Sequence, residues 1–365
     1  MIDPALLQKK NLWNYLKETA LPIVVYGMGN GADKILEILD RNQIAVSDFF
    51  ASDGFVRGHS FHGKKVLSFS EIQEKYEKFI ILLAFGSSLD DVMARIVSMS
   101  EKHELYAPDV PVCGGELFDA DFYLKNQAQF EAVRALLADE KSQEVYDDLI
   151  SYKLSGSISY LRHADTEKED ALKNILSGGY TAYADLGAYN GDTVKETLSF
   201  YPTVQKITAF EPSAKTFAKL NTYLSSLTDL EIQACPLCAW DKKETVILTD
   251  GAGRNTTIGG TSPGKTKNGA KIKTCECDAL DAQNDYANER LLIKYDVEGA
   301  EWEAIHGSVQ TIRRNKTEMI VSLYHKSADL FSLPLLIHEL LPSHKLYLRK
   351  HPYIPAWDIN LYVCL

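Results

Sequence analysis

The stretch that decides the fold is Tyr183-Ala184-Asp185-Leu186-Gly187-Ala188-Tyr189-Asn190-Gly191-Asp192-Thr193. An apolar run, which predicts a β-strand, ends in Asp185, and a turn with two glycines leads into a helical pattern. Gly187 and Gly191 carry no Cβ, so the backbone can approach a bound ligand closely, and Asp192 is well placed to cap the helix. A second β-like run, residues 207–210, ends in Glu211. A glycine loop with a carboxylate at the tip of the next strand is typical of a nucleoside site.

The order of the glycines indicates which nucleoside fits. A dinucleotide fingerprint would be G-x-G-x-x-G, whereas this loop is D-x-G-x-x-x-G-D. Asp185 and Asp192 would repel a pyrophosphate but would attract S-adenosylmethionine, which carries a sulfonium and an ammonium group. From the loop alone, a glycine turn that binds nothing stays open as the alternative.

Length and composition are those of an ordinary globular protein. A chain of 365 residues predicts two domains. The net charge of -11 argues against a nucleic-acid partner, and no apolar run is long enough to span a bilayer. The first residues do not resemble a signal peptide, and six cysteines in so long a chain do not indicate a disulfide scaffold. We therefore expect a cytoplasmic protein with reduced thiols.

Residues 1–115 predict a smaller Rossmann-like α/β domain of the nucleotide-binding type. Gly27, Gly29 and Ala32 follow an apolar run and occupy the G-x-G-x-x-A positions of a nucleotide fingerprint. Strands are predicted at 23–26, 45–50 and 79–85. A second nucleotide site in this domain would use Gly27, Gly29, Asn30 and Asp53.

The stretch from Gly54 to Ser68 resembles the N-terminal domain of sugar acetyltransferases of the PglD type. The matching residues are Asp53-Gly54, Arg57-Gly58, Phe61-His62-Gly63 and Val66, followed by Ser70-Glu71-Ile72 at a predicted helix start. The resemblance implies a domain that holds a nucleotide-linked sugar. A nicotinamide-dependent oxidoreductase and a unit kept for scaffolding or dimerisation stay open as alternatives.

The rest of the chain predicts a helical bridge over residues 116–177 and a second α/β domain over residues 178–365. The connection between the last two strands is too short for a crossover helix, so these strands must be antiparallel. The predicted fold class is therefore α/β. The smaller domain and the bridge are followed by a class I methyltransferase domain, whose seven-stranded sheet has an antiparallel last strand. The predicted strands are Tyr180–Ala184, Ile207–Phe210, Glu231–Cys235, Leu291–Lys294, Met319–Tyr324, Lys345–Leu348 and Ile359–Val363.

The segment Asp296-Val297-Glu298-Gly299-Ala300-Glu301 resembles the D-V-E-G-A-E signature of FkbM-family methyltransferases. That family also has an acidic glycine loop, an E-P pair after the second strand and a Y-H pair after the fifth. Glu211-Pro212 and Tyr324-His325 match these pairs in order, although Tyr295 stands where the family more often has a small or aliphatic residue. The resemblance implies S-adenosylmethionine as the cofactor and O-methylation of a sugar, a glycan or another hydroxyl-bearing small molecule, which could be a nucleotide-linked sugar.

The site residues follow from these motifs. Glu211 is expected to bind the ribose hydroxyls, and Trp240 could stack on adenine, although a core tryptophan fits that position equally well. His325 is the first candidate for the general base and Asp296 the second, with a structural histidine as the alternative. Glu301 is expected to cap the following helix. The predicted cofactor-binding residues are Asp185, Gly187, Ala188, Tyr189, Asn190, Gly191, Asp192, Thr193, Glu211, Pro212, Trp240 and Asp296.

We expect no metal site. Cys235, Cys238, Cys275 and Cys277 could be imagined around zinc, but their spacing favours buried free thiols. The polar run Gly251–Lys271 predicts either a flexible hairpin or a lid over the acceptor, in which Thr261 and Ser262 could take part. The sequence leaves open whether the protein is a homo-oligomer.

Overall fold

In the computed structural model, the described residues are 2–8, 11–56, 58–250, 256–258 and 271–365. They form two sheets joined by helices, with a smaller third sheet attached to the second. Most of the predicted lid, including Thr261 and Ser262, lies outside the described residues.

The first sheet belongs to the predicted smaller domain. Its strands are β1 (Ile23–Tyr26), β2 (Asp48–Phe50), β3 (Ser60–Phe61), β4 (Lys64–Leu67), β5 (Ile80–Leu83) and β6 (Glu104–Tyr106), and its helices are α1 (Leu12–Glu18), α2 (Asn30–Arg41), α3 (Phe69–Lys75) and α4 (Asp90–Ser100), with 3-10 turns at Pro4–Leu7 and Asp53–Phe55. The order is β3-β4-β2-β1-β5-β6. All pairs are parallel except β3 with β4.

This arrangement follows from local sequence. Strands β1 and β5 are apolar and buried throughout, as expected for parallel strands covered on both faces. Helix α3 begins at a capping box, in which Ser68 and Glu71 bond to each other's backbone. The separate α/β unit is confirmed, although the second strand begins at Asp48 and not at Ala45.

The bridge consists of α5 (Ala120–Lys125), α6 (Gln127–Leu136), α7 (Glu140–Ser155), α8 (Ile158–Ala164) and α9 (Lys168–Asn174). Helix α7 contacts both α/β units. Lys153 Nζ pairs with Asp109 at 2.9 Å on one side, and Tyr146 donates a hydrogen bond to Leu330 O at 3.1 Å on the other. Helix α7 of the bridge therefore packs against both units.

The second unit contains two sheets. Its strands are β7 (Ala182–Leu186), β8 (Lys206–Phe210), β9 (Glu231–Cys235), β10 (Cys238–Ala239), β11 (Glu244–Asp250), β12 (Thr256–Ile258), β13 (Lys271–Asp278), β14 (Arg290–Tyr295), β15 (Lys316–Ser322), β16 (Lys345–Lys350) and β17 (Ile359–Cys364). Its helices are α10 (Asp192–Phe200), α11 (Ala214–Leu224), α12 (Leu280–Gln283), α13 (Glu301–His306), α14 (Val309–Arg314) and α15 (Asp329–Leu340).

In the described part of the chain, the main sheet has seven strands in the order β16-β17-β15-β14-β7-β8-β9. Strand β17 is antiparallel to both of its neighbours, and the pairs from β15 to β9 are parallel. The predicted sheet with an antiparallel last strand is confirmed, because the short connection from β16 to β17 allows only a hairpin. Strands β10 to β13 form the smaller sheet.

The first unit packs against the edge of this main sheet. Ser87 and Ile354 exchange backbone hydrogen bonds of 2.9 and 3.1 Å, and a Cβ on Gly86 would lie 2.8 Å from the rings of Tyr353 and Trp357. Cys113 N donates to His325 O at 3.2 Å. Loops of the first unit thus reach His325 and the connection between β16 and β17 in the second unit. Among the described helices, none is both long and apolar enough to cross a membrane.

Candidate active site

A cavity of about 730 Å³ lies where the strands of the main sheet end. Ligand pockets usually measure roughly 300–1,000 Å³, and α/β sheets bind ligands at this carboxyl edge. The predicted residues on its wall are Gly187, Tyr189, Asp192, Thr193, Glu211, Pro212 and Asp296. Other wall residues include Leu237, Cys238, Ala239, Lys294, Glu298, Tyr324, Tyr353 and Trp357, with Ser88 and Val112 from the first unit.

The glycine loop is held against the neighbouring strand end. Gly187 has φ +91, and a Cβ there would lie 1.9 Å from Asp296 O. Gly191 has φ +90, with Tyr223 in the way of a Cβ at 2.5 Å. Both glycines are therefore required by packing within the protein, and not only by the approach of a ligand. Ala188 is buried, and Asn190 is exposed but is not on the cavity wall.

The two aspartates of the loop have different surroundings from those predicted. Asp192 is the first residue of α10 and Gly191 is its N-cap, so the predicted cap is wrong by one position. Asp192 still lines the cavity, where it lies at the positive end of the helix dipole. Asp185 is fully buried behind the wall and accepts a hydrogen bond from Thr193 Oγ1 at 2.5 Å.

Glu211 follows β8 and is on the cavity wall, 8% exposed. Its Oε1 accepts a hydrogen bond from Ser213 N at 2.8 Å. Burial raises the pKa of Glu211 to about 7, although backbone N–H groups of Ser213 and Tyr189 oppose that rise. The carboxylate accepts hydrogen bonds from these N–H groups, and its remaining oxygen lone pairs can accept hydrogen bonds from a ligand.

Lys294 is a site residue that the motifs did not predict. Its Nζ lies 3.5 Å from Asp185 and 3.5 Å from Asp296. Burial alone would lower the pKa of Lys294, but the two carboxylates outweigh it and raise the pKa. The cavity wall therefore contains a cation as well as acids. The sequence had predicted acids only. A lysine inside an apolar strand was the signal that could have found it.

Asp296 and His325, the two catalytic candidates, are neighbours. Asp296 Oδ1 accepts a hydrogen bond from Tyr324 at 2.9 Å and lies 3.6 Å from His325 Nε2. Burial would raise the pKa of Asp296, but Lys294 and His325 lower it. His325 is fully buried and is not on the cavity wall, whereas Asp296 is.

His325 is surrounded by carboxylates. Its Nε2 lies 3.4 Å from Glu298 Oε2, and its Nδ1 lies 2.9 Å from Glu301 Oε1. Burial would lower the pKa of His325, but the neighbouring carboxylates, first Glu301 and then Glu298, raise it well above its usual value. Glu301 Oε1 also accepts from Val297 N at 2.8 Å, so Glu301 fixes the loop before α13 as well as the imidazole.

Most of the second unit is similar in sequence to a known family of methyltransferases. Residues 185–354 match the family model of the methyltransferase FkbM domain. The structure of methyltransferase FkbM from Methylobacillus flagellatus KT is similar, with 17% identity over 98% of this chain and 92% of that chain and a TM-score of 0.69. This similarity establishes a shared fold over both units.

Other similarities are weaker. An rRNA methylase from Streptococcus thermophilus has 12% identity over 57% of this chain and 95% of that chain, with a TM-score of 0.31. That score is too low to support a functional comparison. No curated protein matches the sequence. The resemblance of the first unit to PglD-type acetyltransferases stays a prediction.

Trp240 does not lie on the wall of the main cavity. Its indole N–H donates to Glu244 and its ring packs beside the thiols of Cys238, Cys275 and Cys277. The wall is instead formed by the preceding residues, Leu237 to Ala239. The predicted stacking of Trp240 on adenine is therefore not supported.

The predicted second site lies in the first unit, outside residues 185–354 that match the family model. Gly27 has φ +120 and its N–H donates to Phe50 O at 2.9 Å. Asn30 begins α2, and Asp53 is exposed in a 3-10 turn. Within the described residues, neither Gly27, Gly29, Asn30 nor Asp53 lines the main cavity or a smaller second one near α12. The second nucleotide site therefore stays a prediction.

The six cysteines are free thiols. Cys238 Sγ lies 2.9 Å from Cys275 Sγ, and Cys238 also borders the main cavity. Cys235, Cys238, Cys275 and Cys277 are buried, which agrees with the predicted role as buried thiols.

Proposed function

We propose that the protein is an S-adenosylmethionine-dependent methyltransferase that methylates a hydroxyl of a sugar, a glycan or another small molecule. The observation that carries this proposal is Glu211, a buried carboxylate on the cavity wall beside the glycine loop of the FkbM domain. Its raised pKa, about 7, reflects burial that two backbone N–H groups offset only in part. Ribose hydroxyls would supply further donors.

The cofactor would be held by residues from three strand ends. Glu211 would accept the ribose hydroxyls, and Leu237 to Ala239 would lie beside the base. Asp192 and the loop from Gly187 to Thr193 would face the charged amino-acid part, because negative charge there favours a cation. S-adenosylmethionine supplies a methyl group already activated by a sulfonium. The protein therefore has mainly to orient two reactants, which can lower a barrier by roughly 7–11 kcal/mol.

The acceptor hydroxyl must lose a proton during methyl transfer. Asp296 is the better placed of the two predicted catalytic residues, because it lines the cavity while His325 is buried behind it. A general base contributes typically about 100- to 10,000-fold. We therefore propose Asp296 as the group nearest to the acceptor, with His325 and Lys294 holding its position and charge.

The acceptor would bind where both units meet. Ser88 and Val112 from the first unit share the cavity with Tyr353 and Trp357. The two rings lie 5.4 Å apart at their centroids with a 31° angle between planes. Aromatic faces beside polar groups suit the apolar face and the hydroxyls of a sugar ring.

Isothermal calorimetry with S-adenosylhomocysteine, NAD and UDP-glucose tests this proposal. We expect S-adenosylhomocysteine to bind and NAD not to bind. Transfer of a labelled methyl group to a panel of sugars then tests the acceptor class, and survival of the product in mild alkali identifies an ether. Binding of NAD without S-adenosylhomocysteine would contradict the proposal and favour the nucleotide-dependent oxidoreductase instead. UDP-glucose binding alone would favour a nucleotide-sugar-binding protein.

A further inference from the structure

We propose that Asp296, Glu298 and His325 bind one divalent transition-metal ion of the Zn²⁺ type at the floor of the cavity. Asp296 and His325 each place a potential ligand atom within 4.8 Å of the other and of Glu301, which lies behind the imidazole, and Glu298 Oε2 lies 3.4 Å from His325 Nε2. The Nε2 side of the imidazole faces Asp296 and Glu298, both on the cavity wall. This site rests on its own geometry, and only its consequence for an acceptor hydroxyl rests on the proposed function.

The distances fit shared coordination better than direct hydrogen bonds. Nε2 lies 3.6 Å from Asp296 Oδ1 and 3.4 Å from Glu298 Oε2. Four ligands at about 2.1 Å around a tetrahedral zinc ion are separated by roughly 3.4 Å. The carboxylates are 30% and 32% exposed at their side chains, so an ion can reach them from the cavity.

A second observation points independently to a ligand. His325 is 0% exposed, and neither ring nitrogen makes a hydrogen bond of good geometry with a described residue. Buried polar atoms normally have such partners. Oε2 of the buried Glu301 also lacks one. Three carboxylates lie close to one imidazole, and Lys294 pairs with one of them, so a divalent cation would neutralise the negative charge of the other two.

Glu301 is arranged to support such an ion. Its Oε1 lies 2.9 Å from Nδ1, on the opposite side of the ring from Asp296 and Glu298. Metal-bound histidines usually contact a carboxylate through their other nitrogen, which fixes the tautomer and the ring orientation. Two carboxylates and one imidazole leave a coordination position open towards the cavity. An ion there would polarise the hydroxyl of an acceptor.

Titration of the metal-free protein with Zn²⁺ and with Co²⁺ tests the site. We expect one ion per chain, and visible d–d bands for Co²⁺ in a tetrahedral N/O environment. Asp296→Asn and His325→Ala should each weaken binding at least tenfold. Glu301→Gln should weaken it by about 10- to 100-fold, as outer carboxylates do. If His325→Ala fails to fold, Glu298→Gln, on the cavity wall, gives the same comparison.

His163→Ala is the matched control, because His163 also contacts a carboxylate, Asp148, but is 68% exposed at its side chain and lies on the bridge. It should bind the ion like the wild type. Cys275→Ser excludes binding by the thiols. No stoichiometric ion, or an ion retained by both Asp296→Asn and His325→Ala, would overturn the inference. Calorimetry with S-adenosylhomocysteine on the metal-free protein separates this result from the proposed function, because either can fail alone.

Discussion

Replacement of Glu211 by glutamine should make the free protein more stable and its cofactor site weaker. The pKa of Glu211 is raised from 4.5 to about 7 by burial. The folded protein therefore binds this proton more tightly than the unfolded chain does, and stability falls as pH rises from about 4.5 to 7. At about 1.36 kcal/mol per pKa unit, the cost of the charged side chain above pH 7 is roughly 3 kcal/mol.

Glu211→Gln removes that charge while its amide oxygen can still accept from Ser213 N. Urea unfolding at pH 8 should therefore give a free energy of unfolding up to about 3 kcal/mol above that of the wild type. The difference should shrink as pH falls towards 5. Glu37→Gln, at an exposed ion pair with Arg41, is the control and should change stability by no more than about 0.5 kcal/mol at either pH.

The same substitution should weaken the binding of S-adenosylhomocysteine. Hydrogen bonds to a charged group contribute about 1.5–3 kcal/mol each, so calorimetry at pH 8 should show at least about a tenfold loss. Wild-type affinity should rise between pH 6 and 8, because the ligand favours the ionised carboxylate, while the variant should show no such rise. Unchanged affinity together with unchanged stability at pH 8 would refute the reasoning, because the charge of Glu211 would then neither destabilise the fold nor contribute to ligand binding.

Two further substitutions test how the site is built. Gly187→Ala forces a Cβ against a backbone oxygen 1.9 Å away at φ +91, so urea unfolding should show a loss of about 3 kcal/mol or more in the free energy of unfolding. Gly29→Ala is the control, because there is open space around Gly29, and its loss should stay within about 1 kcal/mol. Equal losses would contradict the packing argument. Lys294→Met leaves Asp185 buried without its cation and should cost about 3–5 kcal/mol, whereas Lys173→Met at an exposed pair should cost less than about 1 kcal/mol. A similarly small loss at Lys294 would contradict the proposed stabilising ion pair between Lys294 and Asp185.

Local sequence was enough to predict the architecture of both α/β units. Burial of both faces makes the strands apolar throughout, as in β1 and β5. The short segment between β16 and β17 allowed only an antiparallel pair, and the structure has it. The D-V-E-G-A-E motif indicated the family, and residues 185–354 match its domain model. Strand ends were less accurate. Strands β7 and β16 continue to Leu186 and Lys350, beyond the predicted ends at Ala184 and Leu348, because backbone pairing can extend past the apolar run that marks a strand.

The electrostatics of the site were decided by tertiary structure. The sequence presented Asp185 and Asp192 as equivalent acids, but one is buried against Lys294 and the other lines the cavity. Which way a side chain points depends on neighbours that are about 100 residues away in sequence, as Lys294 is from Asp185.

The sequence by itself determined that a glycine loop and a carboxylate would meet at one sheet edge, since parallel strands end together. Only the folded chain decided that His325 would lie among three carboxylates and that Ser88 and Val112 of the first unit would complete the wall. The physical reason is that periodicity and turn residues act between near neighbours, whereas charge pairing and cavity shape depend on which distant surfaces pack together.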